Sequence, residues 1–490
     1  MSDFSSLGVG LSGLEAQQAG LGTVGENVAN ADTPGYIEEE LELGAVSTQY
    51  PGFDQSTTPS AGDGVQVFGV NRLNNTYLQQ RSYTEQGNEG MLSAEQSGLQ
   101  AVQENFPEPS STGVSSQLTQ FWNAWSALAN NPADGPTRAS LVQDASSLTS
   151  SLNQTSTALS TLSQQTRQSI TSTLGEVNQD ASQIASLNQQ ILGLTAGSTS
   201  GSADQLEDQR DELISQLSNQ LGVNVTYNSN GTVNVNSGSE QLVSGISSQT
   251  LSLSSSGPPY SLVWSDDQST FQPGSGELAG MLSVVNTSIP KYQSGLDQVA
   301  QSLMGSVNNL MSTGYDLNGN SGVPFFLGTG AANIEVNPAV ASNPSLIAAA
   351  ASPTPAGSTA TNEDGSIAAE VGEMPNSQTV TMSVPSGGWS NGGSASSWTT
   401  ASTTSGTEAD VAYNQLVTAV GQDTSSASTQ YTNQQAVTTN VNSALQSATG
   451  VNTDQELTNM VMYQNAYDAS AKFISTVDDT LQTLVSMVNG

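Results

Sequence analysis

The stretch FSSLGVGLSGLEAQQAGLGTVGENVAN, residues 4–30, sets Phe4, Leu7, Leu11, Leu14, Leu21 and Val28 at alternating steps of three and four, with Gln18 and Gly25 in the same register. That spacing makes a heptad seam along one face of a helix. The other end of the chain repeats it. In LTNMVMYQNAYDASAKFISTVDDTLQTLVSMV, residues 457–488, the seam is Leu457, Met460, Tyr467, Ala471, Ile474, Leu481, Val485 and Val488, interrupted by Gln464 and Asp478. A lone amphipathic helix cannot keep its apolar face in water. Two of them at opposite ends of one chain are expected to pair with each other and with copies from other subunits. The alternative is two ordinary surface helices of a globular domain.

The first helix ends in a specific stop, Asn27-Val28-Ala29-Asn30-Ala31-Asp32-Thr33-Pro34-Gly35-Tyr36. Asn30 suits a left-handed helix end, Pro34 pushes Thr33 into extended backbone, and Gly35 frees the chain before Tyr36. Asn27, Asn30, Thr33, Gly35 and Tyr36 resemble the N-terminal signature of bacterial flagellar axial proteins, the rod, hook and junction family. Gly450-Val451-Asn452, running on through Leu457 to Tyr463-Gln464-Asn465-Ala466-Tyr467, resembles the C-terminal signature of that family.

Three internal segments narrow the resemblance to the family member at the junction of hook and filament. They are Asp208-Gln209-Arg210-Asp211 within Leu206–Ile214, Gly314-Tyr315-Asp316-Leu317-Asn318-Gly319 followed by Phe325-Phe326, and Gly276–Leu282. The chain departs from the family pattern after Tyr36, where Ile37-Glu38-Glu39-Glu40 stands in place of a basic and an amide residue.

The resemblance implies a mainly α protein with inserted β structure, an α+β fold whose N- and C-terminal helices form a coiled-coil base under a long helical bundle and a small outer β domain. Residues 1–35 and 450–490 would be the two halves of the base. Residues 36–222 would be an extended segment and then helical bundle, and 223–275 the inserted β domain. The bundle would return over 276–328 and 406–449, with an irregular, β-containing segment rich in Ser, Thr and Gly over 329–405. The implied function is a structural subunit of the flagellum, a ring that adapts hook to filament mechanically and is required for filament assembly. The implied partners are copies of itself, the hook protein, the second junction protein and, for the C-terminal helix, an export chaperone. The implied location is extracellular, reached through the flagellar type III channel without a cleaved signal. The assembly contacts are assigned to Leu7, Leu11, Leu14, Leu21, Val28, Leu457, Met460, Tyr467, Ala471, Ile474, Leu481, Val485 and Val488. Other readings are another axial protein, such as the hook subunit or the second junction protein, or a secreted coiled-coil adhesin or surface-layer protein.

Composition narrows the function from a different side. Among 490 residues there are 43 acids against 7 bases, no Cys and no His, giving a formal charge of −36. Nucleic acid is not an expected partner, because phosphate binding needs clustered Lys and Arg. The same scarcity argues against an anionic membrane surface. Without Cys or His there is no disulfide, no thiolate or imidazole metal site, and no Ser-His-Asp or Cys-His nucleophile. Paired carboxylates are the remaining route to catalysis, and no aromatic-rich cleft segment supports one. The expectation is therefore a non-enzyme with no cofactor and no metal. Asp316, Asn318 and Asn320 do occupy alternate positions of a calcium loop, but Ser321 and Leu327 stand where Gly and Glu are needed, so the segment reads as a polar turn. No apolar run approaches the roughly 20 residues that cross a bilayer, and Met1-Ser2-Asp3 has no basic start of a signal peptide.

Charged residues are only 10% of the chain, against about a quarter in ordinary domains. Two explanations fit the missing cations: a cell living in acid, where carboxylates are largely neutral, or Ser/Thr/Gln-rich drift at neutral pH. Between the termini, apolar periodicity predicts helices over much of 74–221. Leu118, Phe121, Trp122 and Trp125, then Leu141, Leu148, Leu152, Leu159, Leu162 and Ile170, are read as core. A Gly/Ser turn is read at 197–202. Val223–Tyr227 and Thr232–Asn236, joined by Asn230-Gly231, read as a hairpin. Leu251–Leu253 and Tyr260–Trp264 add candidate strands. Helix returns over 277–311 with Pro290 breaking it. Much of 329–405 reads as loop, with a strand at 380–384, before helix resumes near Glu408.

Overall fold

The computed structural model describes residues 3–33, 35–45, 64–196, 203–353, 362–377, 379–385, 398–405 and 408–489. The expected turn at 197–202 lies outside them, as do the side chains of Phe4 and Val488. The chain opens with helix α1 (Asp3–Asn30). A two-stranded antiparallel ribbon follows, β1 (Glu39–Ala45) and β2 (Val65–Arg72). Four helices come next: α2 (Thr76–Glu104), α3 (Val114–Asn130), α4 (Gly135–Ala196) and α5 (Asp204–Leu221).

The 62-residue α4 is the spine, because two separate cores form along it. In the first core its N-terminal half sets Leu141, Leu148, Leu152 and Leu159 against the α3 face of Leu118, Phe121, Trp122 and Trp125. In the second its C-terminal half sets Ile170, Val177 and Ile184 against α5 and the small β region. The sequence stripes assigned to the core are buried, Leu162 excepted, which lies half-buried at the edge.

That β region is a four-stranded sheet and a three-stranded sheet, both antiparallel. The first runs β3 (Asn224–Tyr227), β4 (Val233–Ser237), β5 (Glu240–Ser244), β6 (Ser247–Ser248), and the second β7 (Leu251–Leu253), β8 (Leu262–Trp264), β9 (Thr270–Phe271). The hairpin read from Asn230-Gly231 is present, with Val225 paired to Val235, Tyr227 to Val233 and Gly231 at φ 83°. Only glycine adopts such a φ without strain.

Helix returns as α6 (Glu277–Ser283), a five-residue π segment (Val284–Ser288) and α7 (Ile289–Thr313), with Pro290 in the first turn of α7. The ring of Pro290 cannot complete an α-helical ladder, and the wider π turn absorbs the break. Val284 belongs to the first core and its neighbour Val285 to the second, so the break stands where the cores divide. Beyond it, β10 (Phe326–Leu327), β11 (Glu335–Val336), α8 (Pro338–Ser342) and a 3-10 turn (Pro344–Leu346) wrap the first core.

One segment expected to be loop is a helix, α9 (Ser366–Ser377). Ile367, Ala368, Val371 and Met374 are its buried face. Gly365 and Gly372 let it lie against α3: a Cβ on Gly372 would stand 2.8 Å from the Ser126 nitrogen. Strands β12 (Thr379–Pro385) and β13 (Trp398–Ser405) then pair antiparallel. The chain closes with α10 (Glu408–Thr449), packed along α2, and α11 (Thr453–Asn489), packed along α1. The protein is thus α+β, with its first and last helices side by side. No helix among the described residues is long and apolar enough to cross a membrane.

Asp316 folds the Gly314–Phe326 segment. Its carboxylate accepts from the backbone N–H of Asn318 and Asn320, both at 2.8 Å, and from the Asn320 side chain at 3.1 Å. Gly319 turns the chain at φ 81°. Phe325 and Phe326 are buried against Phe121, so this is a polar turn that anchors two rings in the core.

Candidate assembly site at the joined termini

Asn27 is the knot of the terminal region. It is 1% exposed, and both ends of its amide are used. Its Oδ1 accepts from the Tyr36 hydroxyl at 2.9 Å and the Glu39 N–H at 3.0 Å, while its Nδ2 donates to the Glu39 carbonyl at 2.8 Å and to Glu456 Oε2 at 3.4 Å. One side chain thereby ties α1, the turn after it, the first residue of β1 and the start of α11. Thr33 N–H donates to the Asn30 carbonyl at 2.8 Å and Gly35 sits at φ 81°, which delivers Tyr36 back onto Asn27.

From the other side, Asn452 caps α11 by accepting from the N–H groups of Asp454 and Gln455 at 3.1 and 3.3 Å. Free N–H groups at a helix start need such an acceptor. Glu38 closes the joint: its N–H donates to the Thr449 carbonyl at 2.9 Å, and its carboxylate accepts from Asn452 N–H at 3.4 Å. Gly450 N–H ends α10 by donating to the Gln446 carbonyl, and Val451 bridges the two helices half-buried. The two sequence signatures therefore meet in space as one hydrogen-bonded joint.

Along the pair itself, α1 meets α11 through small residues. A Cβ on Gly10 would lie 2.7 Å from Ile474, one on Gly13 3.2 Å from Ser470, and one on Gly20 2.6 Å from the Tyr463 ring. Ala16 and Thr23 are buried in the same row. The leucine stripe stands one residue over. Leu7, Leu14, Leu21 and Val28 flank the seam half-buried, and Leu11 is 50% exposed. On α11, Met460, Tyr467, Ala471, Ile474 and Leu481 lie half-buried on or beside the α1 side, whereas Leu457 and Val485 are 52% and 58% exposed. Val461, Met462, Leu484 and Met487 of α11 are 47–72% exposed, whereas Phe473 lies beside Ile474 against Gly10 of α1. The small-residue row on α1 is invisible to a search for apolar periodicity; its signal is glycine recurring at helical spacing inside a heptad pattern.

A second junction ties the ribbon to α5. Arg72, 5% exposed, donates to Glu207 at 2.9 Å, to Asp211 at 3.1 Å and to Asp208. Burial opposes its charge, but Asp211, Asp208 and Glu207 outweigh that, so the guanidinium is held protonated more firmly than usual. Arg210 turns inward instead, donating to the Gly231 carbonyl at 2.8 Å and to Asn188 at 3.3 Å, which fastens α5 to the β region. Gln209 between them is exposed. Burial pushes the carboxyl of Glu39 up to about 7, with Asp204 adding to it, and those of Asp204 and Asp208 up to about 6. Arg72 has no local sequence signal, since its partners lie more than 130 residues away. Among the described residues no three acidic side chains are placed to hold a metal.

Three known families match this chain in the order of its parts. A model described as "Flagella basal body rod protein" matches residues 7–36, "Flagellar hook-associated protein FlgK helical domain" matches 99–326, and "Flagellar basal body rod FlgEFG protein C-terminal" matches 444–487. Flagellar hook-associated protein 1 of Bacillus subtilis is 25% identical over 525 residues, covering 99% of this chain and 98% of that one. The protein of that name from Salmonella typhimurium is 27% identical over 326 residues, 64% of this chain, and the match spans 58% of its own length. In fold, the chain is similar to the flagellar hook junction protein FlgK from Burkholderia pseudomallei, with a TM-score of 0.60 at 18% identity over 75% of this chain and all of that one.

Proposed function

The chain belongs to the flagellar hook-associated protein 1 family, and from that premise we propose that it is a structural subunit of the junction between hook and filament. It acts by assembling rather than by catalysis. Copies form a ring through their paired termini, 1–35 and 450–490, while the bundle and the inserted β domain, 223–275, face outward. The hook protein lies below the ring and the second junction protein above it. The observation that carries this reading is the set of apolar side chains that α11 leaves exposed, Leu457, Val461, Met462, Leu484, Val485 and Met487. Apolar side chains exposed in that number call for a partner. Before assembly the partner is an export chaperone, which delivers the chain to the flagellar type III channel; after it, the partners are neighbouring subunits in a closed cyclic arrangement.

The test is the pair Leu484→Asp and Val485→Asp, both exposed, expressed in cells that lack the native chain. The account expects loss of chaperone capture and of filaments. Normal filaments on the double variant would contradict it.

A further inference from the structure

The neck between the terminal pair and the body gathers carboxylates with too few cations to balance them. Glu39 stands directly across the ribbon from Arg72, and Arg72 is already shared among Glu207, Asp208 and Asp211 of α5. Onto the same point face Glu26 from α1 and Asp204 from the first turn of α5. Tyr36, hydrogen-bonded to Asn27, lies within electrostatic reach of Glu39, Glu26, Asp208 and Asp204. Arg210 is the second cation of this region: it hydrogen-bonds Asn188 and Gly231 and stands 4.0 Å from Glu207, but it makes no contact with Glu39 or Asp204 among the described residues. Glu212 lies beside Gly35. On the far side of Asn27 stand two more carboxylates, Glu456 and Glu38.

Two oxygens in this group are buried without a hydrogen-bond partner, Asp204 Oδ2 and Asp211 Oδ1. Asp211 has the Arg72 guanidinium on its other oxygen, whereas no cation contacts Asp204 among the described residues. A buried carboxylate without a counter-charge is costly and is relieved by taking up a proton. The ribbon, which Arg72 fastens to α5, thus brings two spare, half-buried carboxylates, Glu39 and Asp204, within electrostatic reach of each other. Among the described residues no three acidic side chains are placed to hold a metal, and a proton taken up by each carboxylate removes its uncompensated charge.

We propose that this neck is locked by protons: Glu39 and Asp204 each hold one when the terminal pair is seated against α5, and their ionisation loosens the seat. The direction follows from linkage. Groups that bind protons more strongly in the closed form than in the open one favour closure at low pH, and the preference is lost as pH rises through their closed-state values. For Glu39 and Asp204 those values are about 7 and about 6. The inference concerns the isolated chain and stands whether or not the chain sits at the flagellar junction.

The test uses the absence of native cysteine in the full-length chain. Gln18→Cys on α1 and Ser172→Cys on α4, both exposed sites, carry nitroxide labels, and their distance distribution is measured by pulsed electron resonance from pH 5 to pH 8. A narrow distribution at pH 5 that broadens with a midpoint between about 6 and about 7 is expected. The Glu39→Gln, Asp204→Asn double variant, which imitates the protonated pair, is expected to stay narrow throughout. Asp478→Asn with Asp479→Asn, more than 20 residues along α11 from the joint, is expected to keep the response. A second label pair within the terminal helices, Gln18→Cys with Gln482→Cys, is expected to ignore pH. Four results would each overturn the proposal: no broadening, an undiminished response in the Glu39/Asp204 variant, a response in the second label pair, or closure at pH 8 restored by millimolar calcium.

Discussion

Asn27 and Glu456 meet at 3.4 Å although 429 residues separate them in the chain. Their contact joins the two ends, beside the Glu38 hydrogen bonds to Thr449 and Asn452 and the packing of α1 on α11. In Asn27→Ala, the Tyr36 hydroxyl and the Glu39 N–H and C=O lose their partner together. Each polar group stranded in a buried site costs about 1–3 kcal/mol. Hydrogen exchange over residues 27–39 and 452–460 is expected to speed by at least about 100-fold, which corresponds to roughly 3 kcal/mol by that rule. Asn27→Asp is expected to be worse at pH 8 than at pH 5, because it sets a second carboxylate against Glu456.

The glycine row on α1 makes a prediction with two signs. Gly10→Val and Gly20→Val push β-branched groups into Ile474 and the Tyr463 ring, where even a Cβ would stand 2.7 and 2.6 Å away. These are expected to separate the helices and lower the melting temperature of the terminal pair. Gly22→Ala and Gly25→Ala point into open space, so they are expected to stabilise α1 by about 0.5–1 kcal/mol each through helix propensity alone. Thermal melts followed by helical circular dichroism distinguish the two sets. Equal effects at all four positions would contradict the seam.

The rings of Phe121, Trp125, Phe325 and Phe326 meet in tilted and edge-to-face contacts with centroids 4.8–6.2 Å apart in the first core. Truncating such a ring costs about 3–5 kcal/mol in transfer and cavity terms. Phe326→Ala is expected to lower the denaturant midpoint of that core while the second core, which shares no residue with it, unfolds where it did before. Tryptophan fluorescence reports the first through Trp122 and Trp125 and the second through Trp264 in single-tryptophan backgrounds.

Stability as a whole is expected to fall as pH rises from 5 to 8. Burial raises the carboxyls of Glu39, Asp204 and Asp208 to about 7, 6 and 6, above the ordinary value of about 4. Between those limits the folded chain binds more protons than the unfolded one, so unfolding is hardest at the acid end and easier once these groups ionise. Glu95, Asp180 and Glu277 are raised by burial in the same sense. Chemical denaturation at pH 5 and pH 8 measures it. A midpoint higher at pH 8 would contradict the assignment.

The parts of the fold that were legible in the sequence are those where side chains announce their own face. Leu118, Phe121, Trp122 and Trp125 declare a buried helix side, and Asn230-Gly231 a hairpin, because apolar period and turn chemistry are local. The phase of the terminal pair was less legible, since Gly10, Gly13 and Gly20 contribute closeness rather than hydrophobicity. Helix α9 carried a usable signal in Ile367, Val371 and Met374, masked by Gly372 and Pro375 within the same turns. Arg72 could not be placed from sequence: what makes it matter is the approach of β2 to α5, a long-range event that no local pattern encodes.

Deleting the gene and inspecting cells and culture medium together separates a junction subunit from every other part of the flagellum's axis. Electron microscopy reads the hooks, and gel electrophoresis reads flagellin in the medium. A junction subunit predicts cells with hooks of normal length, no filaments, and flagellin lost to the medium, all restored by the intact gene. Intact filaments on the deletion strain would contradict the account.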